Sequence, residues 1–417
     1  MIVAATLATA VGYAVLAPLA IFLFHQGHPE GAGFVGSPVW LADQLRVRTS
    51  EFVVCLWVFA LGASFGSFLN VVIYRLPRGM SLLGSSRCPY CRTRISARDN
   101  VPVVGWLLLA GRCRTCRLPI SPRYPLVEFA VGSVFLVLAG LELFGAGLNL
   151  PGSAEPPLGP ASWLVGHVRW ELVKVCSYHC LLMAFLITSM LIQADGFSVP
   201  RALIGVVIAA GLLVPGIFHD VHPVPWSLTV LSAATAGASA MALLTAAIGW
   251  AAGGCLGIAI DGLWAARASA RTPARRDPEE AGSGTRTSGV DPSSGPSEPV
   301  PVSPQPPSRP PAVRVALSVV GLYLGWQAAL GTALAAAALQ LAAMLALSAK
   351  RCRRIPRAGT LVVAAFLQVC FWKATASTGW WPGPGSGPLQ VGVLVGLLVC
   401  LTLATAAVSA RMTAGTK

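Results

Sequence analysis

Runs of about twenty apolar residues recur along this chain, and a segment of that length without charge has one stable setting, a helix across the hydrocarbon of a bilayer. Such runs lie near 2–24, 52–74, 125–148, 175–193, 202–218, 235–265, 315–349, 360–375 and 390–410, and the run 315–349 is long enough for two passes. Only 11% of the residues are charged against 55% hydrophobic, whereas a soluble domain carries roughly one-quarter charged residues. A soluble globular class is thereby excluded. The expected fold is an all-α polytopic membrane protein of about 9–10 transmembrane helices. Residues 1–24 have no basic segment before the apolar stretch and no clear small-residue cleavage site, so a retained transmembrane helix is expected there rather than a signal peptide.

The formal net charge is +14, but the basic residues stand beside membrane segments instead of covering one folded face, which argues against nucleic acid and for orientation. Between Arg75 and Arg123 there are ten arginines and one acid, Asp99; further clusters are Arg267, Arg271, Arg275, Arg276 and Lys350, Arg351, Arg353, Arg354, Arg357. The positive-inside rule places these three regions in the cytoplasm, and the stretches 149–171 and His219 to Pro225 outside. These three regions are thus expected to share the cytoplasmic side of one membrane. Residues 268–312 carry 11 prolines with Ser, Gly and Arg and no apolar periodicity, the composition of a disordered linker. The expected domains are an N-terminal helix 1–24, a domain 52–130 containing a four-cysteine loop 76–124, a membrane block 125–265, the linker, and a second membrane block 314–410.

Within that loop stand Cys88-Pro-Tyr-Cys91 and Cys113-Arg-Thr-Cys116, two C-x-x-C knuckles 21 residues apart. Two residues between thiolates let one tight turn offer two sulfurs to a tetrahedral ion, so the four cysteines read as a closed structural zinc site in a zinc-ribbon-like insert. Metal binding would supply folding free energy that so small a loop cannot obtain from its core. Two disulfides are the competing reading, which a reducing cytoplasm disfavours. The other seven cysteines, Cys176 and Cys180 among them, read as small apolar core residues.

The run Gly66-Ser67-Phe68-Leu69-Asn70, then Tyr74-Arg75-Leu76-Pro77, leads into the first knuckle. Asp99-Asn100-Val101-Pro102-Val103, Gly105-Trp106-Leu107, Gly111-Arg112-Cys113 and Arg123-Tyr124-Pro125-Leu126-Val127-Glu128 follow. Together these resemble the amino-terminal domain of the bacterial type IV prepilin peptidases, over about 64–130. Weaker resemblance continues through Phe197 to Leu203 and Gly321 to Gln327. The resemblance implies an integral-membrane aspartic peptidase that cuts the leader from type IV prepilins and pseudopilins. It also implies N-methylation of the new amino terminus with S-adenosylmethionine, and secretion or pilus assembly partners. No glycine-rich cofactor loop supports the methyl transfer independently.

Hydrolysis by two aspartates needs one carboxylate as base toward water and one protonated toward the carbonyl. The resemblance puts the first aspartate seven residues before Pro200, where this chain has Gln193, and the second eight residues before Gly321, where it has Val313. Neither side chain can shuttle a proton. The acids left near membrane ends are Asp195, Asp220 and Asp261. Asp195 and Asp261 are candidate replacements, each balanced against a plain helix-end carboxylate. Asp220, between His219 and His222, reads as a polar loop turn rather than a metal trio. Arg75 and Arg123 read first as topology anchors, Trp106 as an interface residue, and Glu128 as a carboxylate that needs a partner. With Asn70 they are the candidates for substrate binding or methyl transfer. Two functional classes follow: an enzyme acting through Asp195 and Asp261 or retaining methyl transfer, or a non-catalytic membrane protein that binds prepilin-like leaders or a secretion partner.

Overall fold

A computed structural model describes residues 15–27, 37–153, 156, 157, 159–222, 237–269, 312–346, 357–379, 381 and 388–414. Most of the linker, 270–311, and the first fourteen residues lie outside them. Twelve α-helices run through the described residues: α1 Ala17–Gly27, α2 Pro38–Arg75, α3 Val104–Leu108, α4 Arg123–Leu138, α5 Trp170–Ala194, α6 Arg201–Ile217, α7 Ala238–Ser269, α8 Ala312–Leu324, α9 Trp326–Ala346, α10 Arg357–Cys370, α11 Trp372–Ala376 and α12 Pro388–Ala414. Among them six are long and apolar enough to cross a membrane and four more are shorter apolar helices of 10–17 residues. The expected number of apolar segments is therefore present, but not all are full-length spans. The chain is an all-α polytopic membrane protein.

Two boundaries differ from the hydropathy reading. α2 starts at Pro38, well before residue 52, because Ser37 caps it, its Oγ accepting the Trp40 N–H at 3.1 Å, and Pro38 fits the first turn. At 1.5 Å per residue this helix of 38 residues is about 57 Å long, longer than the ~30 Å hydrocarbon, so its polar front stands outside. Within the run 315–349 the described residues, to 346, form two antiparallel helices. Gly325, at φ +87°, turns the chain so that Val313 and Leu317 of α8 come beside Ala333, Ala336 and Ala337 of α9.

Helices in lipid associate by close packing, and small residues set how near they come. Gly249, Gly253 and Gly257 recur every fourth position along one face of α7, and α8 lies directly on them: a Cβ at these positions would meet the Gly321 and Leu317 carbonyls and the Arg314 backbone. Central to the bundle is α5, whose Tyr178, His179, Leu182, Met183 and Leu186 are 2% exposed or less. Tyr178 stacks on Tyr323 at 4.2 Å between centroids, and their hydroxyls donate to the Gly211 and Val207 carbonyls. Between α2 and α4 the four-cysteine insert projects from one end of the bundle. Arg78 at its root lies over the Phe197 ring, 4.5 Å from the centroid, so the end of α5 and the start of α6 share that side.

Candidate functional site

Each knuckle of the insert is a tight turn closed by the same pair of hydrogen bonds. Cys88 N donates to Thr93 O and Arg92 N to Cys88 O; Cys113 N donates to Leu118 O and Arg117 N to Cys113 O. Arg92 and Arg117, each directly after the second cysteine, adopt φ +57° and +58°, a left-handed conformation that frees two thiols to point the same way. The four sulfurs all lie within 4.8 Å of one another, with Cys88 to Cys116 at 3.8 Å and Cys91 to Cys113 at 3.9 Å. A tetrahedron with ~2.3 Å metal–sulfur bonds has edges of about 3.8 Å, whereas a disulfide needs ~2.05 Å. The cluster therefore has the geometry of a closed four-thiolate metal site. Hydrogen bonds from Thr93 lower the Cys91 thiol to about 6, while burial and the neighbouring sulfurs leave Cys116 raised to about 11.

The residues that carry the family resemblance tie this insert to the membrane helices. Asn70 of α2 donates Nδ2–H to Tyr124 O at 3.1 Å. Glu128, one turn inside α4, accepts from Val103 N at 2.7 Å and from Ser67, holding Val103 at φ +62°, where a β-branched residue pays steric strain. Gly66 makes room for this contact, since a Cβ there would fall 2.8 Å from Glu128 Cα. Arg75 donates to the carbonyls of Ser81, Leu83 and Ser85, each at 3.3 Å, and so shapes the loop entering the first knuckle. Trp106 donates Nε1–H to Ile120 O at 3.0 Å, a contact inside the insert rather than an interface role. Arg114 grips Asp99 with two hydrogen bonds and holds its carboxyl down at about 2.

The candidate acids are placed apart in function. Asp195 caps α5 and receives Arg123 through both oxygens, at 2.5 and 3.0 Å, while the same guanidinium also reaches Leu191 O. Among the described residues Arg123 is its ion-pair partner. Gln193, two residues before Asp195, is half-buried. Asp261 is half-buried in α7, beside Ile260, which with buried Val313, Trp264, Gln340, Thr360, Thr402 and Thr405 lines a small cavity of about 50 Å³. Asp220 pairs with Lys174 at 2.6 Å and His222 packs edge-on against Tyr178, both at the short helical turn His219–Val221.

A polar cluster that the apolar runs conceal lies toward the other end of α5. Glu142, fully buried, accepts from His179 Nδ1 at 2.7 Å and from Asn149 Nδ2 at 2.9 Å, and Asn149 Nδ2 also reaches Val369 O at 3.0 Å. Lys373 N–H closes onto Asn149 O at 2.7 Å. The cluster joins the end of α4 to α5 and to α10 and α11. An acid inside the run 125–148 was the available signal, since charge in a membrane segment requires a partner.

The family model for the bacterial peptidase A24 N-terminal domain matches residues 60–141. That match covers both knuckles and every tie just described between α2, the insert and α4. Over that region the chain is similar to the amino-terminal domain of the bacterial type IV prepilin peptidases. Relatives named prepilin leader peptidase/N-methyltransferase include those of Klebsiella pneumoniae, 50% identical over 107 residues and covering 23% of this chain and 46% of the relative, and of Myxococcus xanthus, 47% over 91 residues, 22% and 27%. The Burkholderia pseudomallei relative of the same name is 37% identical over 148 residues, covering 29% of this chain and 46% of its own. The chain thus spans less than half the length of these relatives. No solved structure matches it significantly. The family match ends before Gln193 and Val313, so the similarity rests on the insert and its two flanking helices.

Proposed function

We propose that this protein binds type IV prepilin or pseudopilin leader peptides at the membrane face that carries the insert, the cytoplasmic face of a bacterial inner membrane, and does not cut them by the family's aspartate pair. One observation carries the reading: the acid nearest the first catalytic position, Asp195, is engaged through both oxygens by Arg123, while Gln193 and Val313 hold the positions themselves. A carboxylate clamped by a guanidinium is a poor base, because the cation stabilises its charged form. In this reading zinc sits on Cys88, Cys91, Cys113 and Cys116 and is structural, since four thiolates leave no open position for water. Secretion or pilus assembly proteins would be the further partners.

The test is incubation of the purified protein with a co-expressed pilin-like substrate, followed by mass measurement of the substrate's amino terminus. The expected result is an intact leader in a complex that survives purification. A cleaved leader from the wild-type chain would overturn the reading. Gln193→Asp with Val313→Asp is the converse test. Gln340 and Thr360, which share the cavity beside Val313, offer hydrogen-bonding groups to a carboxylate introduced there. Gain of cleavage by the double variant alone would show that chemistry was lost at these two positions.

A second reading follows from the relatives' printed name, which includes N-methyltransferase, and from the match falling on the domain shared with them. Methyl transfer from S-adenosylmethionine would then be the retained activity, with Asn70, Arg75, Arg123 and Glu128 as the candidate residues by resemblance. The same mass spectrum distinguishes it, as one added methyl group on a mature pilin amino terminus.

A further inference from the structure

Between α6, α7 and α8 lies a groove of about 490 Å³ lined by Ile204, Trp250, Ala251, Ile258, Val315 and, at one end, Arg314. Its walls are apolar and small: Ala251 and Gly254 form one side, and a Cβ at Gly254 would meet only Ser318 Oγ, at 3.1 Å. The volume falls in the roughly 300–1,000 Å³ range of ligand sites. Such a groove facing lipid is not by itself a site, and its mouth is what makes it specific.

Arg314 stands in the first turn of α8, and Arg201 is the first residue of α6, three positions before Ile204 and therefore on the same helix face. Both arginines are exposed, and neither makes an ion pair or hydrogen bond among the described residues. Both helices begin at the insert end of the bundle. Arg201 follows Phe197 closely, and Phe197 lies under Arg78 at the root of the insert. Gly257 places α7 against the Arg314 backbone, so the two helix N-termini flank one stretch of α7. Two guanidinium groups on two positive helix ends, above an apolar slot that opens to lipid, match a phosphate carried on an acyl chain.

We propose that this groove is a binding site for an anionic glycerophospholipid, with one acyl chain between α6, α7 and α8 and the headgroup phosphate on Arg201 and Arg314. The site is separate from the four-cysteine insert and from Gln193 and Val313. It places a lipid against the α7–α8 pair, whose contact depends on backbone-to-backbone packing at Gly249 and Gly253. An occupied groove would hold that pair from its outer side.

The experiment uses the full chain purified in mild detergent, washed with detergent in excess, and examined by native mass spectrometry and lipid extraction. One anionic phospholipid per chain is expected to remain on the wild type. Arg201→Gln with Arg314→Gln is expected to lower its retention at least tenfold, and Ala251→Trp, which fills the slot from an exposed position, is expected to do the same with both arginines in place. Helical circular dichroism and a monodisperse elution profile establish that each variant folds. In nanodiscs of phosphatidylcholine, adding phosphatidylglycerol should raise the thermal midpoint of the wild type and leave the double arginine variant unmoved. Equal retention by wild type and double variant, retention of zwitterionic lipid only, or a co-purifying peptide in place of lipid would each overturn the proposal.

Discussion

Two acid side chains paired with a nitrogen donor meet α5, about 24 Å apart at 1.5 Å per residue, and they hold the molecule in different ways. At the insert end Asp195 caps the helix and meets Arg123, whose side chain is 42% exposed. Toward the other end His179 and Glu142 meet with both side chains at 0%. Exposed pairs contribute about 0–1 kcal/mol, because water solvates each partner nearly as well. A buried pair adds little net stability over an apolar packing, yet removing His179 leaves Glu142 away from solvent with Asn149 as its remaining donor. The insert end can therefore lose single polar contacts without failing, since its fold is concentrated in four sulfurs. The other end cannot.

The strongest break of this comparison is at the sulfurs. Cys113→Ser removes one ligand of the cluster, and because structural zinc contributes about 10–16 kcal/mol of apparent binding free energy to small folds, the insert should unfold and lose its metal. Elemental analysis should fall to background while the helical content of the membrane bundle stays near wild type. Retained stoichiometric zinc in this variant would mean that the knuckles do not form one site.

Next in size is His179→Ala, which leaves the Glu142 carboxylate buried with Asn149 alone. The expected loss is about 3–5 kcal/mol, read as a lowered thermal midpoint in detergent. Glu142→Gln with His179→Ala should recover part of it, because the double change removes the charge as well as its partner. A single variant as stable as the wild type would show that water or another cation already serves Glu142.

Acid separates the two ends again, through His222. Burial holds this imidazole down at about 4, below the ~6.5 of an unfolded chain. Its folded pKa is depressed, so the stability it contributes is fully present above about pH 6.5 and is lost as pH falls toward 4, where the unfolded state binds the extra proton. Between pH 7 and 5 the slope of ~1.36 kcal/mol per unit predicts about 2 kcal/mol. His222→Phe should remove that part of the acid dependence, and the difference between the two proteins' melting curves isolates it from acid release of metal.

What the sequence discloses follows the distance over which each contact is made. The knuckles were legible because a C-x-x-C turn places two ligands within four residues, and the second turn repeats the first. Asn70, Arg75 and Glu128 could be marked by resemblance, but their partners, the Tyr124 and loop carbonyls and the Val103 N–H, depend on how the insert folds back on α2 and α4. The start of α2 was missed since residues 38–51 are polar, although Ser37 and Pro38 form a capping signal. The Gly249, Gly253, Gly257 stripe was readable as a fourfold spacing. By contrast, nothing local links Glu142 to His179, 37 residues on, and only the packing of α4 on α5 pairs them. Gln193 and Val313 could be located by counting from Pro200 and Gly321, whereas the capture of Asp195 by Arg123, 72 residues away, could not.

The smallest expected effect bears on function most directly. Asp195→Asn keeps the shape and one acceptor of the carboxylate while removing its charge, so Arg123 retains Leu191 O and a weaker bond to residue 195. For a pair this exposed the loss should be under about 1 kcal/mol, and leader binding should be unchanged. A catalytic Asp195 predicts a different result, since an amide cannot accept a proton from water and any cleavage would vanish. Arg123→Gln completes the cycle. It releases Asp195 from its cation, so if this acid were a suppressed base the variant would gain cleavage that Asp195→Asn then abolishes. If Asp195 is the partner of a helix-end clamp, both variants bind leader alike, neither cuts it, and the double variant loses less stability than the two single losses added together, because each removes the same contact.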